Sequence, residues 1–158
     1  MGLRSVISRP LAATVASSVR KDSRQASECQ DRIFKKLVNA GKYCIYGKAH
    51  RYNEIRSYED FKKHVPLTEY EEISPLIERI SHGEKNILWP GLPVYFAKTS
   101  GTTSGTKYIP ITRDSLPNHI SSARNALFLY MDRTKNYAFA DHNMIFLQGS
   151  PVLERKDV

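Results

Sequence analysis

Residues 98–112 read KTSGTTSGTKYIPIT. Thr99 to Gly105 is an unbroken run of glycine, serine and threonine, and Lys107 follows two places later. Strand-forming residues stand on both sides, VYFA at 94–97 and YIPI at 108–111. The stretch is either a solvated turn between two strands or a loop built to surround phosphate. Gly101 and Gly105 let backbone N–H groups approach an anion closely and permit positive φ. Thr99, Ser100, Thr102, Thr103 and Ser104 add five hydroxyls as further donors. Lys107 adds a mobile positive charge suited to neutralising a leaving anion. Ordering so many small residues costs conformational entropy, and a two-residue hairpin would have joined the strands. The residue types therefore favour the cradle, with the flexible polar loop as the competing reading.

The bulk numbers narrow the partners. A chain of 158 residues suits one domain and can bury about 70% of its unfolded surface. No apolar run approaches the ~20 residues of a membrane-spanning helix. The net charge of +8 favours anionic partners: nucleic acid, anionic lipid or a phosphorylated small molecule. The basic residues are dispersed and most aromatics fall in apolar patterns such as VYFA and LFLYM, so a solvated mixed-charge surface explains the charge better than a nucleic-acid face. Cys29 and Cys44 are far from any metal or redox spacing, which argues against a disulfide or zinc scaffold and fits a reducing compartment. The five histidines show no metal-type spacing, and no metal ligand is assigned. The first 21 residues carry Arg4, Arg9, Arg20 and Lys21 and no acidic residue, as an organellar transit peptide would. The favoured reading is an ordinary first helix with Val6, Ile7, Leu11, Val15 and Val19 as its apolar stripe, in a cytoplasmic protein. A myristoylation signal fails because Val6 stands where serine or threonine is required.

Along the chain, residues 23–41 read as a second helix with Ile33, Phe34, Leu37 and Val38 on one face and Gly41 as its stop. Residues 43–57 form an aromatic-rich irregular connection. Ser57, with Asp60 three places on, opens a short helix through a capping box. Ile73, Leu76, Ile77 and Ile80 mark another amphipathic helix, ended by Gly83. Strands follow around 92–97 and 108–112, and Pro110 places the second at an edge or a bulge. A long helix spans about 113–135, capped by Thr112 or Asp114, with Leu116, Ile120, Ala123, Leu127, Tyr130 and Met131 on one face and Pro117 tolerated in its first turn. NMIFLQGS, at 143–150, reads as a buried strand. The expected class is α/β: helices, then strand–loop–strand, helix and strand, an incomplete arrangement like the opening of a larger domain. The helical lead-in covers about 1–84 and the phosphate-loop segment about 92–158. A core-type strand with nothing after it to cover it suggests a truncated product.

The loop is neither of the two commonest phosphate motifs. Walker A needs G-x-x-x-x-G-K-[ST] leading into a helix. Here the glycines are one residue too close, Lys107 is not adjacent to glycine, and a strand follows. G-x-G-x-x-G is absent.

TSGTTSGTK, at 99–107, instead resembles the signature [ST]-[SG]-G-[ST]-[ST]-x-G-x-K of the adenylate-forming enzymes. The flanks FKKHVPLTEYEEISPLIERISHGEKNILWPG, at 61–91, and YFAKTSGTTSGTKYIPIT, at 95–112, resemble its GH3 branch, the acyl acid-amido synthetases. The likeness extends over about residues 25–150. It implies the N-terminal part of an adenylate-forming large domain. It also implies a two-step ligase: ATP and a carboxylic acid give an acyl-adenylate, and an amino acid then gives an amide. Thr99, Ser100, Gly101, Thr102, Thr103, Ser104 and Gly105 would contact the ATP phosphates or AMP, and Lys107 would be the catalytic residue of the loop. ATP and magnesium are the implied cofactors. The implied partners are a small carboxylic acid and an amino acid, with neither nucleic acid nor membrane. The family's adenine-binding segment, acidic ribose contact and mobile C-terminal domain would lie beyond residue 158, so the chain by itself is expected to be inactive. The competing expectations are a non-catalytic truncated or degenerate module that binds nucleotide weakly, and a basic nucleic-acid-binding protein.

Overall fold

The computed structural model describes residues 2–99 and 105–143. The elements in order are α1 (Leu3–Arg24), α2 (Ala26–Gly41), α3 (Ile45–Ala49), α4 (Tyr58–His64), α5 (Tyr70–Ser81), β1 (Tyr95–Lys98), β2 (Tyr108–Ile111) and α6 (Leu116–Thr134), then a 3-10 turn at Tyr137–Asp141. The described residues are thus mostly helical, with one two-stranded antiparallel sheet. The expected strand at 143–150 lies outside them, Asn143 excepted. Two compact units result. Among the described residues, one joins 2–27 with 117–143, and the other runs from Glu28 to Leu116.

In the first unit, α1 buries Ser5, Ser8, Ala12 and Ala16, a line of small residues three to four apart. Ala12 packs with Met131 and Tyr137, and Phe128, Phe139 and Ala140 surround them. Small side chains let the backbone of the 3-10 turn at Tyr137–Asp141 come close to α1, so this face buries more contact than its hydrophobicity suggests. The expected stripe is overturned at its start: Val6, Ile7 and Leu11 are each about half exposed. The buried serines are satisfied locally, Ser5 Oγ donating to Gly2 O and Ser8 Oγ to Ser5 O. Asp141 staples the start of α1. Its carboxylate accepts from the Gly2 amide at 2.7 Å and the Ser5 amide at 3.1 Å, where free helical N–H groups and the helix dipole favour an anion. α6 begins at Leu116 with Pro117 in its first turn, as expected, but Ile120 and Tyr130 of the expected face are exposed.

In the second unit the helix boundaries follow local chemistry. Ser57 Oγ accepts from the Asp60 amide at 3.1 Å, and Asp60 returns the bond to the Ser57 amide at 3.0 Å. α5 buries Ile77 and Ile80. Its proline at position 75 cannot bond Glu71 O, and Ser74 Oγ donates to that carbonyl instead, at 2.9 Å. Its end is a Schellman turn: Gly83 sits at φ 86°, its amide donates to Ile80 O, and the Glu84 amide donates to Arg79 O. The 43–57 connection is more regular than expected, since it holds α3. Gly47 makes this possible by lying against the end of α2, so close that a Cβ there would stand 2.1 Å from Gly41 O. The next segment then docks by backbone bonds, the Ile45 amide donating to Asn86 O at 2.9 Å and the Tyr46 amide to Ile87 O at 3.0 Å. Ile87 is left 1% exposed, a central piece of this core.

Two outcomes test these contacts. Gly47→Ala should lower stability by about 2 kcal/mol in denaturant unfolding, because backbone rather than a pliable side chain blocks the added methyl. Partial burial pushes the Asp141 carboxyl up, but its amide donors outweigh this and hold it below its ordinary value. Its contribution is therefore present above the usual carboxylate range and lost as pH falls through the lowered value. Thermal melts of Asp141→Asn should show a lower midpoint than the parent at neutral pH, with the gap closing on acidification.

Candidate functional site: the neck of a glycine-serine-threonine loop

β1 and β2 pair antiparallel, Tyr95 opposite Ile111, Phe96 opposite Pro110, Ala97 opposite Ile109 and Lys98 opposite Tyr108. The Thr99 amide donates to Lys107 O at 3.0 Å and extends the ladder by one pair. Pairs that exchange hydrogen bonds alternate with pairs that do not. Counting from Thr99 and Lys107, Pro110 falls at a position that needs no donor toward β1. Its missing N–H therefore costs the ladder nothing, and the edge placement expected from the sequence holds among the described residues.

The loop leaves this ladder through a closed neck. Besides the backbone bond, the Lys107 amide donates to Thr99 Oγ1 at 3.3 Å. Gly105 stands at φ 80°, and a Cβ there would meet no atom of the described residues within 4 Å. Backbone conformation rather than crowding is what calls for glycine at this position. Of the sequence-predicted site residues, Thr99 and Lys107 thus meet at one neck, and Gly105 stands two residues before the lysine. Ser100, Gly101, Thr102, Thr103 and Ser104 lie outside the described residues.

The first turn of α5 supplies two partners that local sequence patterns do not reveal. Tyr70 Oη accepts from the Tyr108 amide at 2.8 Å and lies 3.4 Å from Tyr108 O. Tyr108 sits opposite Lys98 at a position whose backbone groups point away from β1, so the phenol does there what a third strand would do. The Lys107 ammonium lies 4.9 Å from the centre of the Tyr70 ring and 3.2 Å from Glu71 Oε1. The Glu71 carboxyl is held below its ordinary value by its own backbone amide and then by Lys107. At the pH of the cell it is an anion, and the lysine charge is locally balanced. In the sequence, Tyr70 and Glu71 read only as the start of a helix. Nothing in a local pattern links them to residues nearly forty places later.

The base of the hairpin is fixed by NILWPG. Asn86 Oδ1 accepts from the Gly91 amide at 2.8 Å, and the Asn86 amide donates to Gly91 O at 3.2 Å. Gly91 takes φ 77° to close the loop. Trp89 Nε1 then donates to Asp114 Oδ2 at 2.9 Å, so Asp114 anchors the indole. The turn before α6 is closed instead by Thr112 and Ser115, whose amides and hydroxyls bond reciprocally at 3.0 and 3.1 Å. A cavity of about 520 Å³ opens beside this base, lined in part by Trp89, Pro93, Arg113 and Asp114.

The neck thus brings together a lysine paired with a carboxylate and a threonine hydroxyl at the loop's entrance. Among the described residues no group of three or more histidine, cysteine or acidic side chains could hold a metal ion.

The profile of the GH3 family N-terminal domain matches residues 15–153. An indole-3-acetic acid-amido synthetase of Arabidopsis thaliana, GH3.15, is 32% identical over 106 residues, which is 65% of this chain and 18% of that protein. A second from the same plant, GH3.5, is 29% identical over 58% of this chain and 15% of its own length. A probable indole-3-acetic acid-amido synthetase of Oryza sativa subsp. japonica, GH3.13, is 41% identical over 58 residues, 35% of this chain and 12% of its own. The chain therefore spans less than a fifth of the length of these curated relatives. The matched span takes in both strands, the loop between them and all of α2 to α6, and this chain belongs to the GH3 family.

Proposed function

We propose that this chain forms the phosphate-binding corner of an ATP-dependent acyl acid-amido synthetase. The observation that carries the reading is the neck of Thr99 and Lys107, with Gly105 at positive φ just before it. Membership of a family whose matched relatives are named as acid-amido synthetases supports it. In this reading the chain is the N-terminal portion of an adenylate-forming large domain, with a helical lead-in over about 1–84 and the loop-bearing segment over about 92–158. Its reaction takes place in the cytoplasm.

The chemistry runs in two balanced steps. A carboxylate oxygen of a small organic acid attacks the α-phosphorus of ATP; the bond to the bridging oxygen breaks and pyrophosphate leaves. The amine of an amino acid then attacks the acyl carbon, the bond to AMP breaks, and the amine loses a proton. Each step moves negative charge onto phosphate oxygens. Donors preset around those oxygens stabilise that movement more than they stabilise the bound ground state. Thr99 and Gly105 hold the loop's ends, Ser100, Gly101, Thr102, Thr103 and Ser104 supply amides and hydroxyls to the phosphates, and Lys107 neutralises the departing pyrophosphate. Magnesium would accompany the nucleotide and further screen its charge, and none of its ligands is assigned to this chain. The adenine, ribose and acyl contacts are not assigned to residues of this chain.

The test is ATP–pyrophosphate exchange by the full-length gene product against a panel of carboxylic acids. Lys107→Ala and Ser100→Ala should each lower exchange by about a hundredfold, the order expected when one charge-stabilising donor is removed. Undiminished exchange in both variants would exclude the loop from the reaction. If no acid in the panel supports exchange, a non-catalytic nucleotide-binding module becomes the better account.

A further inference from the structure

We propose that Glu71 is the counterion of Lys107 and that an incoming polyphosphate displaces it. This rests on the phosphate role proposed for the loop, and it adds a residue that sets how strongly that loop binds.

The geometry separates a clamped backbone from a movable arm. The amide of Lys107 donates to Thr99 Oγ1, its carbonyl accepts from the Thr99 amide, and the next amide along, that of Tyr108, donates to Tyr70 Oη. The peptide groups on both sides of the Lys107 Cα are thereby held. Its four-carbon stem is left to choose where the ammonium goes. In this structure the ammonium stands 3.2 Å from Glu71 Oε1, over the Tyr70 ring. Among the described residues the lysine is the cation paired with this carboxylate, whose side chain is 59% exposed against 29% for the lysine. Exposed pairs of this kind are weak because water competes for both charges. A polyphosphate brings several negative charges and many acceptor oxygens to the same ammonium. It can take the lysine from a single carboxylate with little loss.

Glu71 therefore acts through Lys107 as a positioning residue. It holds the ammonium at a defined place and competes for it with any incoming anion, by the modest factor that an exposed pair supplies. The cost is affinity, since every polyphosphate that binds must first separate the pair.

The test uses equilibrium binding of ATP to the full-length protein. Glu71→Gln keeps the shape and removes the charge, and it should bind ATP about two- to fivefold more tightly, the factor that an exposed ion pair supplies. Glu71→Ala should change affinity in the same direction, which guards against an effect peculiar to glutamine. In the Lys107→Ala background, Glu71→Gln should change nothing, an outcome that a purely structural role for Glu71 would not produce. Unchanged or weaker ATP binding by both Glu71 variants overturns the counterion role. The loop reading stands in that case if Lys107→Ala still weakens binding. If Lys107→Ala leaves ATP affinity untouched as well, the loop reading falls and the counterion falls with it.

Discussion

A two-stranded ladder by itself is only marginally stable in water, and the hairpin that carries the loop is held because α5 grips its outer edge. The grip is one phenol. Tyr70 Oη meets the amide and carbonyl of Tyr108, the groups that face away from β1. Everything proposed for the site depends on that contact. It fixes the residue after Lys107, and through it the end of the loop neck. The loop's remaining support lies at the hairpin base, where Trp89 is tied to Asp114 and Val94 N–H to Ile111 O. An edge fixed by side chains rather than by a neighbouring strand can lie next to a binding loop without burying it.

The parts legible in the sequence are those that local chemistry decides. The capping box at Ser57 and Asp60, the stop at Gly83, the buried Ile77 and Ile80, and the edge position of Pro110 all follow from rules spanning a few residues. The parts that escaped are those that packing decides. α1 turns a face of serine and alanine inward and leaves Val6 and Ile7 half exposed. A hydrophobicity pattern weighs transfer from water, whereas close helix packing rewards small size, and here size wins. α3 escaped for a related reason. Five residues are too few to show a period, and what makes the turn fit is the absence of a Cβ at Gly47.

The site divides in the same way. Thr99, Gly105 and Lys107 stand close in the chain, so a motif can name them. Tyr70 and Glu71 meet Lys107 only through the fold. Their sequence context, two residues in the acidic first turn of a helix, is also what any helix prefers there. The turn chemistry of α5 hides the site chemistry. Glu71 can serve both uses because its carboxylate accepts from its own backbone amide as well as from the lysine.

That double use bears on what the overall charge means. A net charge of +8 describes the whole surface and would suit many anionic partners. At the neck, the lysine's charge is already matched by Glu71, so bulk electrostatics adds little to the choice of ligand there. Any anion drawn to the ammonium has to exchange with a carboxylate that already stands beside it, and because the pair is exposed that exchange is easy. The local pairing therefore says more about this neck than the sign of the net charge does.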